Sequence, residues 1–235
     1  MQHDPACSLR IGGLTALSTT DYPGQLAAVV FCQGCPWRCA YCHNPHLLPR
    51  HGEQEVAWTD ITAFLERRRG LLDAVVFSGG EPTLHPALPA AICAVKSMGF
   101  AVGLHTAGIY PRRLRAVLPF VDWVGMDIKA PFDDYARVTG IAGSGESAHE
   151  SMQLVMASGI AHEFRTTVHP SLLPAPDLLA LTQDLVGLGV RNFVVQEFRD
   201  RGCARPELTG TPSYLTDAFC RLLAGILPAF SLRRA

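Results

Sequence analysis

Short β-branched and apolar runs, separated by longer amphipathic stretches, set the rhythm of this chain. Residues 26–32, 73–78, 100–105, 121–128, 162–169 and 191–198 are too short for buried helices and are flanked by breakers and polar residues, so they predict six strands. Residues 9–17 predict a further edge strand. The stretches between are helical in period. One opens at Pro86 and closes before Gly99, the usual asymmetry of helix punctuation. Ser147 and Glu150 are spaced as a capping box for another, and Thr211 with Pro212 predicts the start of the last. Strand and helix in alternation predict an α/β fold with a parallel sheet. Six units are too few for a closed eight-fold barrel, and the expectation is a partial (β/α)6 TIM-like barrel, with a doubly wound sheet as the rival. With no repeat or linker, residues 1–235 are expected to form one domain, 1–25 being an N-terminal edge segment and 26–235 the partial barrel.

The chemically suggestive residues fall where the predicted strands end. Cys35, Cys39 and Cys42 follow the first; Ser78-Gly79-Gly80-Glu81-Pro82 closes the second and His105-Thr106-Ala107-Gly108 the third. Asp127 and Lys129 end the fourth, His169 the fifth, and Gln196 with Glu197 the sixth. The C-terminal ends of parallel strands share one mouth, so all six clusters are expected to face one cavity.

Charge changes the picture only by exclusion. Twenty basic and 21 acidic side chains leave a formal net charge of -1, which gives no electrostatic reason to expect a nucleic acid. The run Arg67 to Arg69 is read as cations placed at a helix C-terminus. Residues 1–10 lack the basic-then-apolar pattern of an export signal, and no stretch is apolar enough to cross a bilayer, so a cytoplasmic protein without membrane contact is expected. In a reducing compartment, eight cysteines point to metal or redox chemistry more than to disulfides.

Cys35-x3-Cys39-x2-Cys42 lets three thiolates converge on three corners of an iron-sulfur cubane, leaving one iron free for a ligand. Three rivals use the same residues: Cys39-Ala-Tyr-Cys42-His43 as a haem-attachment pattern, three Cys with His43 as a zinc site, and Cys32-Gln-Gly-Cys35 as a redox dithiol. Cys32 is also a candidate fourth ligand, although a strand-end core thiol is the simpler reading.

At these residues the chain resembles the radical S-adenosylmethionine superfamily, whose cysteine loop is matched by Cys35, Cys39, Tyr41 and Cys42 and whose GGE motif by Gly79, Gly80 and Glu81. The segments Thr19-Thr20-Asp21-Tyr22-Pro23-Gly24, Cys42-His43-Asn44-Pro45, Asp127-x-Lys129-Ala130-Pro131 and Thr139-Gly140 are similar to those of glycyl-radical-enzyme activating enzymes, above all the activating proteins of anaerobic ribonucleoside-triphosphate reductase. The resemblance implies a 4Fe-4S cluster on the three cysteines and S-adenosylmethionine as the second cofactor. It implies a glycyl radical enzyme as partner and, for want of a second cysteine cluster, flavodoxin or ferredoxin as electron donor. Gly79 and Gly80 would receive the methionine ammonium, with Glu81 adding negative charge. Lys129 would hold the carboxylate and Asp127 the ribose or Lys129, while Tyr41 would contact the adenine. Thr106 is a further contact, and Arg165 is a second carboxylate ligand unless Glu163, on the same face, neutralises it. The chain departs from the activases at His105, where an acidic residue is usual, and at Gln196 to Arg199, which lack an expected histidine. A small-molecule enzyme of the same superfamily, of the 7-carboxy-7-deazaguanine synthase type, and a non-enzymatic metal-binding module are the alternatives.

Overall fold

A computed structural model describes residues 4–227 and 229–234. Its sheet has eight strands in sequential order: β1 (Ile11–Ser18), β2 (Ala27–Cys32), β3 (Ala74–Gly79), β4 (Ala101–Thr106), β5 (Trp123–Asp127), β6 (Ala161–Val168), β7 (Asn192–Glu197) and β8 (Ala229–Arg233). β1 pairs antiparallel with β2, and every later pair is parallel. A doubly wound sheet would reverse its strand order at a switch point. The unbroken order is that of a barrel left open, and the open barrel gains a seventh parallel strand, β8, beyond the six predicted.

The helices are α1 (Trp58–Glu66), α2 (Leu88–Ser97), α3 (Pro111–Val117), α4 (Tyr135–Thr139), α5 (Ser144–Ser158), α6 (Ala175–Gly187) and α7 (Asp217–Ile226). Strand residues alternate between two cores, as the period of two requires. Val30, Phe77, Leu104, Met126, Phe164 and Phe193 point outward to the helices. Ala27, Val29, Ala74 and Val76 point inward to a small apolar floor closed by Tyr22, which stacks on Trp123 at 5.2 Å. The connection between β1 and β2, residues 19–26, thus plugs the barrel from within through Tyr22.

Three predicted helix starts move. α2 begins at Leu88, with Ala87 as its N-cap, so Pro86 lies in the turn before it. α5 begins at Ser144, after left-handed Gly143, so Ser147 and Glu150 lie inside the helix and form no capping box. α7 begins after Thr216, whose hydroxyl accepts from the Phe219 amide at 3.2 Å; Thr211 and Pro212 belong to the preceding connection. α1 does end at the arginine run, with Arg67 as its C-cap. Among the described residues no helix is long and apolar enough to cross a membrane.

Candidate active site

At the C-terminal ends of the strands lies a cavity of about 250 Å³. Cys35, Cys39, Cys42 and Tyr41 line it from the loop after β2, Gly79 and Gly80 from β3, and Thr106 from β4. Asp127 lines it from the end of β5, Lys129 from the segment just after it, and Arg165 from β6. Ten of the eleven residues singled out from the sequence therefore share one wall-to-wall site. Glu81 is the exception.

The cysteine loop is irregular but tied down. Arg38 and Ala40 donate their amides to the carbonyls of Thr139 and Val138, both at 2.9 Å, so the loop is laid against α4. The Arg38 guanidinium returns to the carbonyls of Cys35 and Trp37, and Trp37 meets Tyr135 edge-on at 5.8 Å. Burial pushes the Cys35 thiol up to about 12, with the Glu81 carboxylate adding to the effect, and burial also raises Cys39. Thiolates are the ligands of such a metal group, so binding it would release protons from these cysteines.

This geometry sorts the rival readings. Cys32 is fully buried in the outward core and does not reach the cavity, so it offers neither a fourth ligand nor a partner for Cys35. His43 Nε2 is engaged by the Arg199 carbonyl at 3.1 Å, and its ring stacks on Phe198. Among the described residues no three His, Cys, Asp or Glu side chains close on a single metal ion. A cubane asks for something different, because each thiolate binds its own iron and the three sulfurs stand farther apart. Three thiols facing one cavity suit that group.

Beside the cysteine loop, on the neighbouring strand, Gly79 adopts φ +112°, and a Cβ there would collide with the Cys32 backbone; one on Gly80 would collide with the Gly34 carbonyl. These glycines let backbone form the cavity wall. Glu81 sits behind them, fully buried. Its Oε1 accepts from the Thr83 amide and hydroxyl at 3.1 and 2.6 Å and from the Thr106 hydroxyl at 2.7 Å, and its Oε2 from the Ala107 amide at 2.9 Å. Burial raises its pKa while these donors pull it back. Glu81 thus ties the ends of β3 and β4 together from behind the wall.

The third wall is a row of charges. Lys129 Nζ reaches Asp127 Oδ2 at 3.3 Å and lies 5.4 Å from the centre of the Tyr41 ring. Arg165 Nε donates to Asp127 Oδ1 at 3.0 Å, and its Nη1 lies 3.1 Å from His105 Nε2. Gly125 makes room for this guanidinium, since a Cβ would crowd Nη1 at 2.8 Å. Burial alone would raise Asp127, but Arg165 and Lys129 outweigh it and hold the carboxyl down at about 2. Burial works against the Lys129 ammonium, yet the Tyr41 oxygen, the Cys39 sulfur and Asp127 push it well above the usual lysine range. His105 is driven down to about 3 by burial and by Arg165, and it stays neutral. With one carboxylate between two cations, the row attracts an anion.

Arg165 is therefore neutralised by Asp127 and not by Glu163, which pairs with Arg233 of β8 at 2.8 Å. His169, given no role from the sequence, is buried against the Leu208 carbonyl at 2.9 Å. Asp21, Ser78, His105, Thr167 and Gln196 also line the cavity. Only the strand-end position of Ser78, His105 and Gln196 signalled this in the sequence.

The family model of the Radical SAM superfamily matches residues 29–175. Over 212 residues, 86% of this chain and 85% of the other, the chain is 29% identical to a Methanocaldococcus jannaschii protein assigned as a glycyl-radical enzyme activating enzyme. It is 35% identical to the pyruvate formate-lyase-activating enzyme of Clostridium pasteurianum over 56% of this chain and 57% of that one. Among solved structures, QueE from Escherichia coli superposes with a TM-score of 0.54 at 16% identity, covering 97% of this chain and 93% of that one. SuiB from Streptococcus suis, bound to S-adenosylmethionine, gives 0.60 at 12% identity over 86% of this chain and 48% of that one. These two likenesses speak for the fold. With more than half its length matched by the family model and the family's cysteine loop facing the cavity, the chain belongs to the Radical SAM superfamily, enzymes that use a 4Fe-4S cluster and S-adenosylmethionine.

Proposed function

We propose that this chain is an activating enzyme that generates a glycyl radical on a partner protein, with anaerobic ribonucleoside-triphosphate reductase as the partner its sequence favours. One observation carries the reading: the three cysteines, the Gly79-Gly80 wall and the Lys129-Asp127-Arg165 row converge on one cavity. The relatives assigned as activating enzymes support it, and the finer choice of partner rests on the sequence segments alone.

In this reading Cys35, Cys39 and Cys42 hold the cluster. When bound, the cluster and S-adenosylmethionine together would supply hydrogen-atom abstraction after one-electron reduction. The backbone of Gly79 and Gly80 receives the methionine ammonium, with the charge of Glu81 one layer behind. Lys129 and Arg165 attract the carboxylate, and Asp127 keeps both aimed. Tyr41, packed on Lys129, contacts the adenine, and Thr106 completes the wall. Residues 1–235 act as one domain, the electron comes from flavodoxin or ferredoxin, and the setting is the cytoplasm.

The test is anaerobic reconstitution with iron and sulfide, reduction, and addition of S-adenosylmethionine together with the reductase. Formation of 5′-deoxyadenosine and a protein-based doublet in the electron paramagnetic resonance spectrum is the expected result. Cleavage without any radical on the reductase removes this partner, and zinc in place of iron and sulfide removes the reading altogether.

A further inference from the structure

Of the polar side chains that the strands bring to the cavity, nearly all are spoken for. Ser78 and Arg165 bond His105, Thr106 bonds Glu81, and Asp127 holds Lys129 and Arg165. Thr167 of β6 and Gln196 of β7 differ. Both line the cavity, both are half-buried, and neither side chain has a hydrogen-bond partner among the described residues. Asn44 shares this property but belongs to the cysteine loop.

Their placement is specific. Thr167 and Gln196 stand opposite one another in the β6–β7 register, on the same face as Arg165. Going round the mouth, the charged row ends at Arg165, the uncharged pair follows, and then comes β8, where the sheet stops. Arg233, which the register sets beside Gln196, turns instead to Glu163, donating at 2.9 Å. The side of the mouth next to the open edge therefore presents one hydroxyl and one amide with no competing charge.

We infer that Thr167 and Gln196 are the subsite for the polypeptide main chain of the substrate, an inference that rests on the activase reading. A glycine has no side chain to recognise, so an enzyme that takes hydrogen from it must read the backbone. A glutamine amide both donates and accepts, as does a threonine hydroxyl, and together they match the N–H and C=O groups flanking a glycine. The open edge at β8 admits a chain that continues in both directions. In the step served, the glycine Cα–H bond breaks homolytically and a C–H bond forms at C5′ of the deoxyadenosyl fragment. The unpaired electron stays on Cα, and the external donor has already supplied the one electron used to split the cofactor.

The experiment uses holoenzyme with two probes carrying deuterium on the glycine Cα: the reductase and N-acetylglycine-N-methylamide. It compares wild type with Thr167→Val and Gln196→Leu. The readout is the ratio of deuterated to total 5′-deoxyadenosine, with binding of the diamide to the oxidised, S-adenosylmethionine-loaded enzyme measured by calorimetry. Each substitution is expected to lower the ratio and weaken binding about tenfold, which corresponds to about 1.4 kcal/mol, the scale of one hydrogen bond. If total cleavage falls while the ratio and the binding hold, the pair serves the cofactor or the fold and the inference is overturned. Unchanged values in both variants overturn it equally. If wild type transfers deuterium from neither probe, the activase reading itself fails, and the inference falls with it.

Discussion

Asp127 and Arg165 face each other directly across the β5–β6 register, and their side chains meet at 3.0 Å on the cavity wall. Lys129 takes the other oxygen of the same carboxylate. One anion thus holds two cations in place, leaving an excess of positive charge for a ligand carboxylate. His105 bounds the row as a neutral group, so it adds no third charge.

That relationship gives a pH-dependent prediction. The folded Asp127 carboxyl lies at about 2 against an ordinary 3.8, so its stabilising effect is complete above the ordinary value and is lost as the pH falls through about 2. Asp127→Asn should cost about 1–3 kcal/mol at neutral pH, below the figure for a fully enclosed pair because a third of the side chain meets solvent. Urea unfolding of both proteins should show the gap closing in acid. A gap independent of pH would mean that the carboxylate's charge contributes nothing.

The cysteines separate by position. Cys35→Ala, Cys39→Ala and Cys42→Ala should each lower reductive cleavage of S-adenosylmethionine by more than about 100-fold, with iron and sulfide content falling alongside. Cys32→Ala, in the outward core, should retain the cluster and lose about 1 kcal/mol of stability. Loss of the cluster in Cys32→Ala would put that thiol among the ligands.

How much of this was legible beforehand depended on where the partners lay. The six strands, their common mouth and the cysteine loop follow from local pattern and spacing. β8 does not, because Ala229–Arg233 is short and lacks a buried alternating face. Missing β8 also hid Arg233, so Glu163 seemed the natural partner for Arg165. The helix starts at Ser147 and Thr211 were lost to left-handed Gly143 and to the Thr216 cap, features decided by backbone conformation. The sequence placed Glu81 beside two glycines but could not say that its carboxylate turns away from the cavity.

Glu81→Gln tests that orientation. An amide presents only one acceptor oxygen to a site with four donors, so at least one donor is left facing an NH2 group. Each buried unsatisfied group costs about 1–3 kcal/mol. The variant should unfold at lower urea and show a raised KM for S-adenosylmethionine, because the β3 and β4 ends that form the wall lose their tie. Undiminished stability with a raised KM would instead place Glu81 in contact with the cofactor.

Tyr135 offers the sharpest test of how the cysteine loop is coupled to the charged row. Its hydroxyl accepts from the Lys129 amide at 2.9 Å and donates to the Asp127 carbonyl at 3.3 Å, while its ring meets Trp37 of the cysteine loop. From the same short helix, Val138 and Thr139 receive the loop amides. One side chain therefore spans the cluster side and the carboxylate side of the cavity. Tyr135→Phe keeps the ring contacts and leaves a buried amide without its acceptor, at a cost of about 1–3 kcal/mol. Iron and sulfide content should stay at the wild-type level, because the loop is still seated on α4. The end of β5 should shift, moving Lys129, and the change that S-adenosylmethionine causes in the electron paramagnetic resonance spectrum should need higher cofactor concentrations. If that titration matches wild type, Lys129 is held by Asp127 alone and the hydroxyl has no part in positioning it.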